Sequence, residues 1–339
     1  MNKILSAALS FVGLATAATA QTPVNPNATP EACDLLKFLY EQSGHGLLAG
    51  QHSYPLYGDI YFERAYHQSG EIGHPAVFGQ DFGYSKPGSL DGINNRQRVV
   101  DNAIRHYQEG AIITLMWHAV PPTTDANFTT WQGENGVQSK LTDKQWSDLF
   151  TPGTEINLRW QSQVDVIAFF LKQLQDAKVP VIWRPYHEMN GDWFWWGYKP
   201  GNYQKLYRML YDRLTNYHHI NNLLWVFNGN EIGSSNVMDY DKFYPGKDVV
   251  DILATDVYSK NYEKGDYEAL VKLADGKPIA WGECGQMPSP EIAKKQPKML
   301  WFMVWCEFLE TDNTWESRAA IYNYSITLEK LNAMRAGKK

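Results

Sequence analysis

Eight short apolar segments, separated by stretches with helical periodicity, limit the folds open to this chain more than any other feature. Most are continuous apolar runs rather than alternations of polar and apolar residues, as expected of parallel strands buried on both faces. Amphipathic helical patterns include residues 31–42, 96–108, 159–177 and 202–217, and Thr29 is a suitable N-cap for the first. The strand-like runs are residues 46–52, 74–83, 110–118, 179–188, 222–230, 249–259, 277–285 and 300–308.

Eight strand–helix units in 339 residues predict an α/β protein with a single (β/α)₈ barrel. A doubly wound parallel sheet is the competing architecture, but no glycine-rich phosphate loop follows the first strand. No internal repeat, charged run or low-complexity linker indicates a second module. We therefore assign residues 21–339 to one barrel domain.

The first twenty residues have the pattern of a secretory signal peptide. Lys3 supplies the positive start, residues 4–18 the apolar stretch, and Ala18-Thr19-Ala20 a small-residue cleavage site. No later run is long enough to span a bilayer. The sequence therefore predicts a secreted or periplasmic protein that lacks residues 1–20 in its mature form.

Charge and composition narrow the choice of partner. The net charge of −6 argues against nucleic acid or an anionic membrane surface and suits a neutral substrate. A hydrophobic content of 44% with 20% charged residues is typical of a globular protein with a sizeable core. We expect a monomer.

The three cysteines, Cys33, Cys284 and Cys306, are an odd number and cannot all pair. A chain of this length does not need a disulfide framework. No histidine lies near Cys284 in the sequence to activate it as a thiolate. We expect Cys284 and Cys306 to be small buried residues.

Polar side chains stand near the C-terminal ends of the predicted strands. In a (β/α)₈ barrel that face carries the active site. A single residue of this kind would mean little, but seven strands share the pattern. These residues are His52, Asp81, His118, Glu188, Asn228, Asn230, Asp256, Tyr258 and Glu283.

The segment WRPYHEMNGDWFWWG, residues 183–197, places Glu188 beside Arg184 and His187 and shortly before a run of aromatic residues. A carboxylate beside indole rings suits a flat, hydroxyl-rich, uncharged substrate, because sugar rings pack a C–H face on aromatic planes. The alternative is a cluster of core tryptophans beside a salt-bridged glutamate. Large aromatic side chains seldom crowd so closely around Arg, His and Glu without a function.

Two acids, Glu188 at the end of strand four and Glu283 at the end of strand seven, could together cleave a glycosidic bond. One carboxyl group must protonate the departing oxygen, and a second must face the anomeric carbon as nucleophile or as base for water. Strands four and seven lie across a barrel from each other. The glycines of WGECG would let a substrate approach Glu283 closely. The alternative for Glu283 is a structural acid bonded to backbone amides.

The histidines at strand ends admit a second interpretation, as zinc ligands. A zinc triad of His52, His118 and His187 would need their nitrogens to converge from three strands. Hydrogen bonding to substrate explains them more simply. We therefore predict no metal and no cofactor.

The segments WRPYHEMNGDWFWWG and AWGECG resemble the two signature segments of glycoside hydrolase family 26, and the similarity covers essentially the whole chain after the signal. The best-known members of this family are endo-β-1,4-mannanases with (β/α)₈ barrels, which act with retention. Many related families place Asn before the acid/base, whereas His187 holds that place here, as in family 26.

The resemblance implies roles residue by residue. Glu188 matches the acid/base and Glu283 the nucleophile, with carboxyl groups about 5–5.5 Å apart at the barrel mouth, as retention requires. It implies a β-mannan polysaccharide or manno-oligosaccharide as substrate. The other matching positions are predicted to contact substrate or support its pocket: His118, Arg184, His187, Trp193, Asp256, Tyr258 and Trp305.

Several readings of the specificity remain open from sequence. The same catalytic residues could release mannobiose from chain ends, or act on β-1,3-xylan or mixed-linkage β-glucan, since loops decide the shape of the cleft. Tolerance of galactose side chains is equally undetermined. A non-catalytic polysaccharide-binding barrel is the alternative from another class, but a binding protein has no need of an acid and a nucleophile.

Overall fold

Eight parallel strands form a closed barrel in which each strand pairs with the next along the chain and the last pairs with the first, so the predicted fold is confirmed. The computed structural model describes residues 21–233 and 236–337. The predicted signal peptide, residues 1–20, lies outside them. The strands are β1 Leu48–His52, β2 Val77–Asp81, β3 Ile112–Trp117, β4 Val181–Pro185, β5 Leu223–Asn230, β6 Ile252–Val257, β7 Ile279–Cys284 and β8 Trp301–Val304.

Helices surround the barrel, and side-chain caps mark the starts of several of them. The side chain of Thr29 caps the first helix, as predicted, and Thr154 caps the fifth, which begins at Glu155, four residues before the predicted start. The sixth helix passes into a π-helical turn, Arg213–Tyr217. The helices are α1 Pro30–Gln42, α2 Ile60–Gln68, α3 Arg96–Gln108, α4 Asp143–Leu149, α5 Glu155–Asp176, α6 Pro200–Asp212, α7 Lys264–Ala274, α8 Pro290–Lys295, α9 Phe308–Thr311, α10 Trp315–Tyr324 and α11 Leu328–Gly337.

Several strands are shorter than the apolar runs that predicted them. Strand β4 ends at Pro185, because Tyr186 and Glu188 adopt left-handed backbone conformations with φ of 49° and 53°. Strand β8 ends at Val304, so Trp305 follows the strand rather than lying on it. The sequence interpretation that Glu188 ends strand four was therefore wrong by three residues. The predicted strands were too long because the loops that follow these strands are also buried, so several of their residues are apolar as well.

The barrel interior changes from apolar to polar along the strands. Ile182 and Ala254 belong to one buried apolar cluster, together with leucines of α1. Arg184 and Asp256 follow them by two residues and so point to the same face. The apolar layer thus supports a polar layer at the C-terminal ends of the strands, where the site is built.

Two smaller expectations concern the cysteines and the membrane. Cys284 and Cys306 are buried and unpaired, which confirms the prediction, and Cys33 is also free. Among the residues described, no helix has the length and apolar character required to traverse a bilayer.

Candidate active site

A cavity of about 620 Å³ opens at the C-terminal mouth of the barrel. It contains most of the side chains that the sequence singled out. Of the nine residues predicted to be catalytic or to contact or support the substrate, Arg184 and Asp256 are the two that do not line it. The predicted residues that line it are His118, His187, Glu188, Trp193, Tyr258, Glu283 and Trp305.

Glu188 is fixed in the turn that follows β4. Its amide donates to the carbonyl of Asn228 at 2.7 Å, which ties the turn to the neighbouring strand β5. Its carboxylate oxygen Oε2 accepts a hydrogen bond of 2.6 Å from the indole Nε1 of Trp193. The Glu188 carboxyl group therefore has a defined direction at the cavity wall.

The surroundings of Glu188 favour its protonated form. Burial is the main cause, since only 8% of the residue is exposed, and the negative charge of Glu283 adds to it. The hydrogen bond from Trp193 acts in the opposite direction. Together these effects raise the pKa of Glu188 to about 8. Glu188 can therefore hold a proton at neutral pH, as a general acid must.

Glu283 has hydrogen-bond donors on both carboxylate oxygens. Arg184 donates from Nη2 to Oε1 at 2.6 Å, and the hydroxyl of Tyr258 donates to Oε2 at 2.7 Å. His187 Nε2 lies 3.8 Å from Oε1. A guanidinium on one oxygen and a hydroxyl on the other hold the carboxyl group in one orientation.

A register shift between β6 and β7 positions Glu283. Thr255 pairs with Trp281, but Asp256 pairs with Glu283, so Gly282 is the extra residue. A Cβ at Gly282 would clash with the side chains of Asn228 and Asp256. The sequence interpretation assigned this glycine to substrate approach, whereas it makes room for protein groups beneath the site.

Arg184 and Asp256 support the site from below the cavity floor. Arg184 also donates to the Asn228 side chain and to the carbonyl of Gly282, both at 2.9 Å. Asp256 Oδ1 lies 3.6 Å from Arg184 Nη2. Burial, and then the charge of Glu283, raise the pKa of Asp256 well above its usual range. Arg184 therefore pairs mainly with Glu283.

The two predicted sugar-binding histidines differ in charge. His118 Nδ1 lies 2.6 Å from Asp81 Oδ2. Burial opposes ionisation of His118, but the Asp81 carboxylate raises its pKa overall. Burial and the positive charge of His118 hold the pKa of His187 well below its usual value. The rings meet edge to face at 4.6 Å, so the cavity presents a cationic and a neutral imidazole side by side.

Trp305 is held on two sides. The imidazole of His52 stacks on it with ring centroids 4.1 Å apart, and its Nε1 donates to the hydroxyl of Tyr54 at 3.3 Å. Burial lowers the pKa of His52 to about 3, so the stacked ring is neutral. A rigid indole at this wall is suited to packing against the apolar face of a sugar.

Some cavity residues had no signal in the sequence. Trp131 lies in the long segment between β3 and α4, and its ring centroid is 5.3 Å from that of His118. No periodicity marks such a loop residue as part of a site. Phe194, in the aromatic run after Glu188, could have been found by its neighbours. Asn230, which also lines the cavity, had been marked by its place at the end of a predicted strand. The cavity residues not predicted are Tyr54, Tyr84, Leu90, Asp91, Trp131, Gln138, Phe194 and Phe308.

One set of side chains in the described residues has metal-ligand spacing. Ligand atoms of His187, Asp256 and Glu283 lie within 4.8 Å of one another. The Arg184 guanidinium contacts Glu283 among them and would repel a cation. The histidines of the alternative zinc triad have other neighbours, since His118 Nδ1 meets Asp81 and His52 Nδ1 lies 3.4 Å from Cys306 Sγ. The residues present fit a carboxyl group held by hydrogen-bond donors better than a metal centre.

Comparison with known proteins agrees with this geometry. The profile of the family described as Glycosyl hydrolase family 26 matches residues 24–332. A mannan endo-1,4-beta-mannosidase of Thermothelomyces thermophilus is 32% identical over 330 residues, which cover 91% of this chain. This chain spans 62% of the length of that relative.

Two solved structures share the fold. GH26A from Muricauda sp. MAR_2010_75 is 48% identical with a TM-score of 0.84, over 90% of this chain and 99% of that one. A beta-mannanase from a symbiotic protist of the termite Reticulitermes speratus, complexed with gluco-manno-oligosaccharide, is 26% identical with a TM-score of 0.78. That match covers 92% of this chain and 97% of the other.

Proposed function

Because this chain belongs to glycosyl hydrolase family 26, we propose that it is a retaining endo-β-1,4-mannanase. Its substrates are the internal β-1,4-mannosidic bonds of mannans, galactomannans and glucomannans. One observation carries the proposal: a carboxyl group that holds its proton, Glu188, and a carboxylate with a cationic donor, Glu283, line the same cavity. The relative named as a mannan endo-1,4-beta-mannosidase and the protist enzyme with a bound gluco-manno-oligosaccharide support the choice of substrate.

In the first step, a carboxylate oxygen of Glu283 attacks the anomeric carbon while the bond to the departing oxygen breaks. Glu188 gives its proton to that oxygen, so the shortened chain leaves as an alcohol. The product is an ester between the sugar and Glu283. Trp193 holds the Glu188 carboxyl group by the hydrogen bond at Oε2.

In the second step, the Glu188 carboxylate takes a proton from water. The water oxygen bonds to the anomeric carbon while the ester bond to Glu283 breaks. Glu188 is protonated and Glu283 is a carboxylate again. Two displacements at one carbon leave the β configuration unchanged. Tyr258 and Arg184 hold the departing carboxylate in place.

The test is a reducing-sugar assay on mannan, β-1,3-xylan and lichenan, with product sizes by chromatography and the first-formed anomer by NMR. We expect mannan to be cut into mixed oligosaccharides with β anomers formed first. Mannobiose as the sole early product would instead show release from chain ends. Faster cleavage of xylan or lichenan would contradict the proposed substrate, and α anomers formed first would contradict a retaining mechanism. Binding of mannan without cleavage would contradict the proposal that the protein is an enzyme.

The pH dependence of catalysis is expected to report the proton on Glu188. Activity needs this group protonated in the free enzyme, so kcat/KM on manno-oligosaccharides should fall as the pH rises through about 8. This decrease is the falling, alkaline limb of the pH profile. A pH series on a dinitrophenyl mannobioside, whose leaving group needs no proton, is the control and should show little of this limb. A falling limb near pH 5 on both substrates would contradict the prediction.

Discrimination between mannose and glucose is expected to depend on polar side chains rather than on indoles. Mannose presents an axial 2-hydroxyl, and a site built to bond a hydroxyl strongly disfavours an analogue that lacks one there. His118→Ala or His187→Ala should therefore reduce the ratio of kcat/KM on mannan to that on glucan. Trp305→Ala should weaken cleavage of both polymers and leave the ratio nearly unchanged. A ratio that changes only in the Trp305 variant would refute this assignment.

We also propose that the protein is exported after removal of residues 1–20. The positive start, the apolar stretch and Ala18-Thr19-Ala20 support this. N-terminal sequencing of protein from the periplasm and from the medium should give Gln21 as the first residue. Full-length protein confined to the cytoplasm would refute the proposal.

A further inference from the structure

The turn that carries Glu188 is locked to the loop after β5 by Asn190, which is completely buried. The Asn190 side-chain amide donates to the carbonyls of Asn230 at 2.8 Å and Met238 at 3.0 Å. Its side-chain oxygen accepts from the amide of Asn230 at 2.7 Å, and its carbonyl accepts from the amide of Met238 at 2.9 Å. Gly191 forms an antiparallel bridge with Val237. The backbone at residues 190–191 therefore has little freedom to move.

Gly191 lies directly beneath the indole ring of Trp193. A Cβ built on Gly191 would fall far inside the van der Waals separation from the ring carbons Cη2, Cζ3 and Cζ2, where about 3.5–4.0 Å is the normal distance between carbons. The backbone of Gly191 does not need a glycine for its conformation, since its φ is not left-handed. What the position requires is the absence of a side chain.

The position of the Trp193 ring determines the hydrogen bond to the proton donor. The indole Nε1 donates to Glu188 Oε2 at 2.6 Å, and Glu188 is fixed by its own left-handed φ and by its amide bond to Asn228. A displacement of the ring by one ångström or more would lengthen that bond beyond hydrogen-bonding distance. Trp193 also belongs to the cavity wall, so the same displacement would change the surface that meets the leaving sugar.

We propose that Gly191 is a positioning residue for the acid/base Glu188, because its missing side chain provides the space in which Trp193 can lie and donate to the carboxyl group. The inference rests on the proposed role of Glu188. Gly191 does not line the cavity. Its amide donates to the backbone carbonyl of Glu188 at 3.0 Å, a bond that alanine could also make, so the effect of the missing side chain passes through Trp193.

The effect of a methyl group at position 191 depends on whether the backbone turn or the Trp193 ring moves away from it. The turn is held by the bonds of Asn190, whereas Trp193 is only partly buried and borders open cavity space. In Gly191→Ala the ring must therefore leave its place and the Nε1 bond must break. That bond lowers the pKa of Glu188, so its loss should raise the pKa further. We expect kcat/KM on mannan to fall by about tenfold or more, the range for a hydrogen bond to a charged group, because Glu188 becomes a carboxylate as it gives its proton to the departing oxygen.

A double-mutant cycle tests the inference with Gly191→Ala, Trp193→Ala and the two combined. Gly201→Ala is the matched control, because a Cβ there meets nothing within 4 Å. Two quantities are measured: kcat/KM on mannan, and the pKa of the Glu188 carboxyl group. The pKa comes from the ¹³C resonance of that group in glutamate-labelled protein, which is assigned by its absence in Glu188→Gln.

Gly191→Ala should lower kcat/KM and raise the pKa of Glu188, and Gly201→Ala should match the wild type. In protein that already carries Trp193→Ala, Gly191→Ala should change neither quantity.

If Gly191→Ala lowered kcat/KM equally in the presence and in the absence of the Trp193 indole, the inference would be wrong. The glycine would then be needed for the backbone conformation rather than for the position of the ring. An unchanged pKa of Glu188 would overturn it as well. If Gly191→Ala fails to fold and the double variant folds, the conflict is with the ring, as proposed; if neither folds, the inference is wrong. The NMR titration needs no turnover, so it decides the matter even if the wild-type protein proves inactive on mannan and the proposed function fails.

Discussion

Replacing Glu283 is expected to abolish turnover on every substrate, with kcat lower by a factor on the order of 10⁴–10⁶, as for other catalytic nucleophiles. Without this carboxylate no glycosyl ester can form, whatever the leaving group. The alanine variant also removes the main ion-pair partner of the buried Arg184 guanidinium and leaves it only Asp256, at 3.6 Å. Breaking a buried ion pair typically costs up to about 3–5 kcal/mol of folding free energy. Glu283→Gln keeps an acceptor for Arg184 and is the better variant for kinetics.

Azide separates loss of the nucleophile from loss of the fold. In Glu283→Ala, azide can occupy the vacated space and attack the anomeric carbon, which should give a mannosyl azide of inverted, α configuration. Thermal unfolding of the alanine and glutamine variants controls for stability. A mannosyl azide of retained configuration from the Glu283 variant would reverse the roles of the two glutamates.

Replacing Glu188 is expected to stop hydrolysis of mannan while sparing the first step on activated substrates. General acid catalysis is typically worth about 10²–10⁴ in rate, and a dinitrophenyl leaving group does not need it. Glu188→Ala should therefore release a burst of dinitrophenol equal to the enzyme concentration and then stall, because no base activates water. Stopped-flow absorbance measures the burst, and mass spectrometry of the stalled protein should show the sugar bound to Glu283.

Azide should restore turnover of the Glu188 variant, because it attacks the glycosyl ester without help from a base, and the product should be a β-mannosyl azide. Trp193→Phe is a useful comparison, since it removes the hydrogen bond to Glu188 and retains the carboxyl group. It should slow mannan cleavage without producing a stalled ester. A Glu188 variant that shows neither a burst nor a response to azide would rule out its assignment as the acid/base.

The fold could be predicted from the chain because its determinants are local. Eight apolar runs buried on both faces, alternating with amphipathic helices, fit a closed parallel barrel, and caps such as Thr29 marked where helices begin. Strand ends were predicted less well. The left-handed residues Tyr186 and Glu188 end β4 inside a segment that is still buried, and burial alone cannot distinguish strand from turn.

The sequence predicted which residues belong to the site, but not which of them line the cavity and which lie beneath it. Arg184 and Asp256 were predicted to contact substrate or to support its pocket, and neither lines the cavity. Arg184 lies beneath Glu283 and donates to it, which is a supporting position. Gly282 lies in the bulge between β6 and β7 against Asn228 and Asp256, which are distant in the chain. Gly191 lies under Trp193, only two residues further on, but its turn is held by bonds from Asn190 to Asn230 and Met238. No period in the sequence encodes such contacts.

The sequence by itself determined the barrel, the face that carries the site, and the pair Glu188 and Glu283, because alternation, capping and strand ends are properties of short segments. The resemblance already assigned the role of proton donor to Glu188, and only the tertiary structure supplies the physical reason why its pKa is raised. That depends on burial and on the distance to other charges, which arise when β4 and β7 face each other across a closed barrel. The loop residue Trp131 likewise becomes part of the cavity only because the chain folds back over His118.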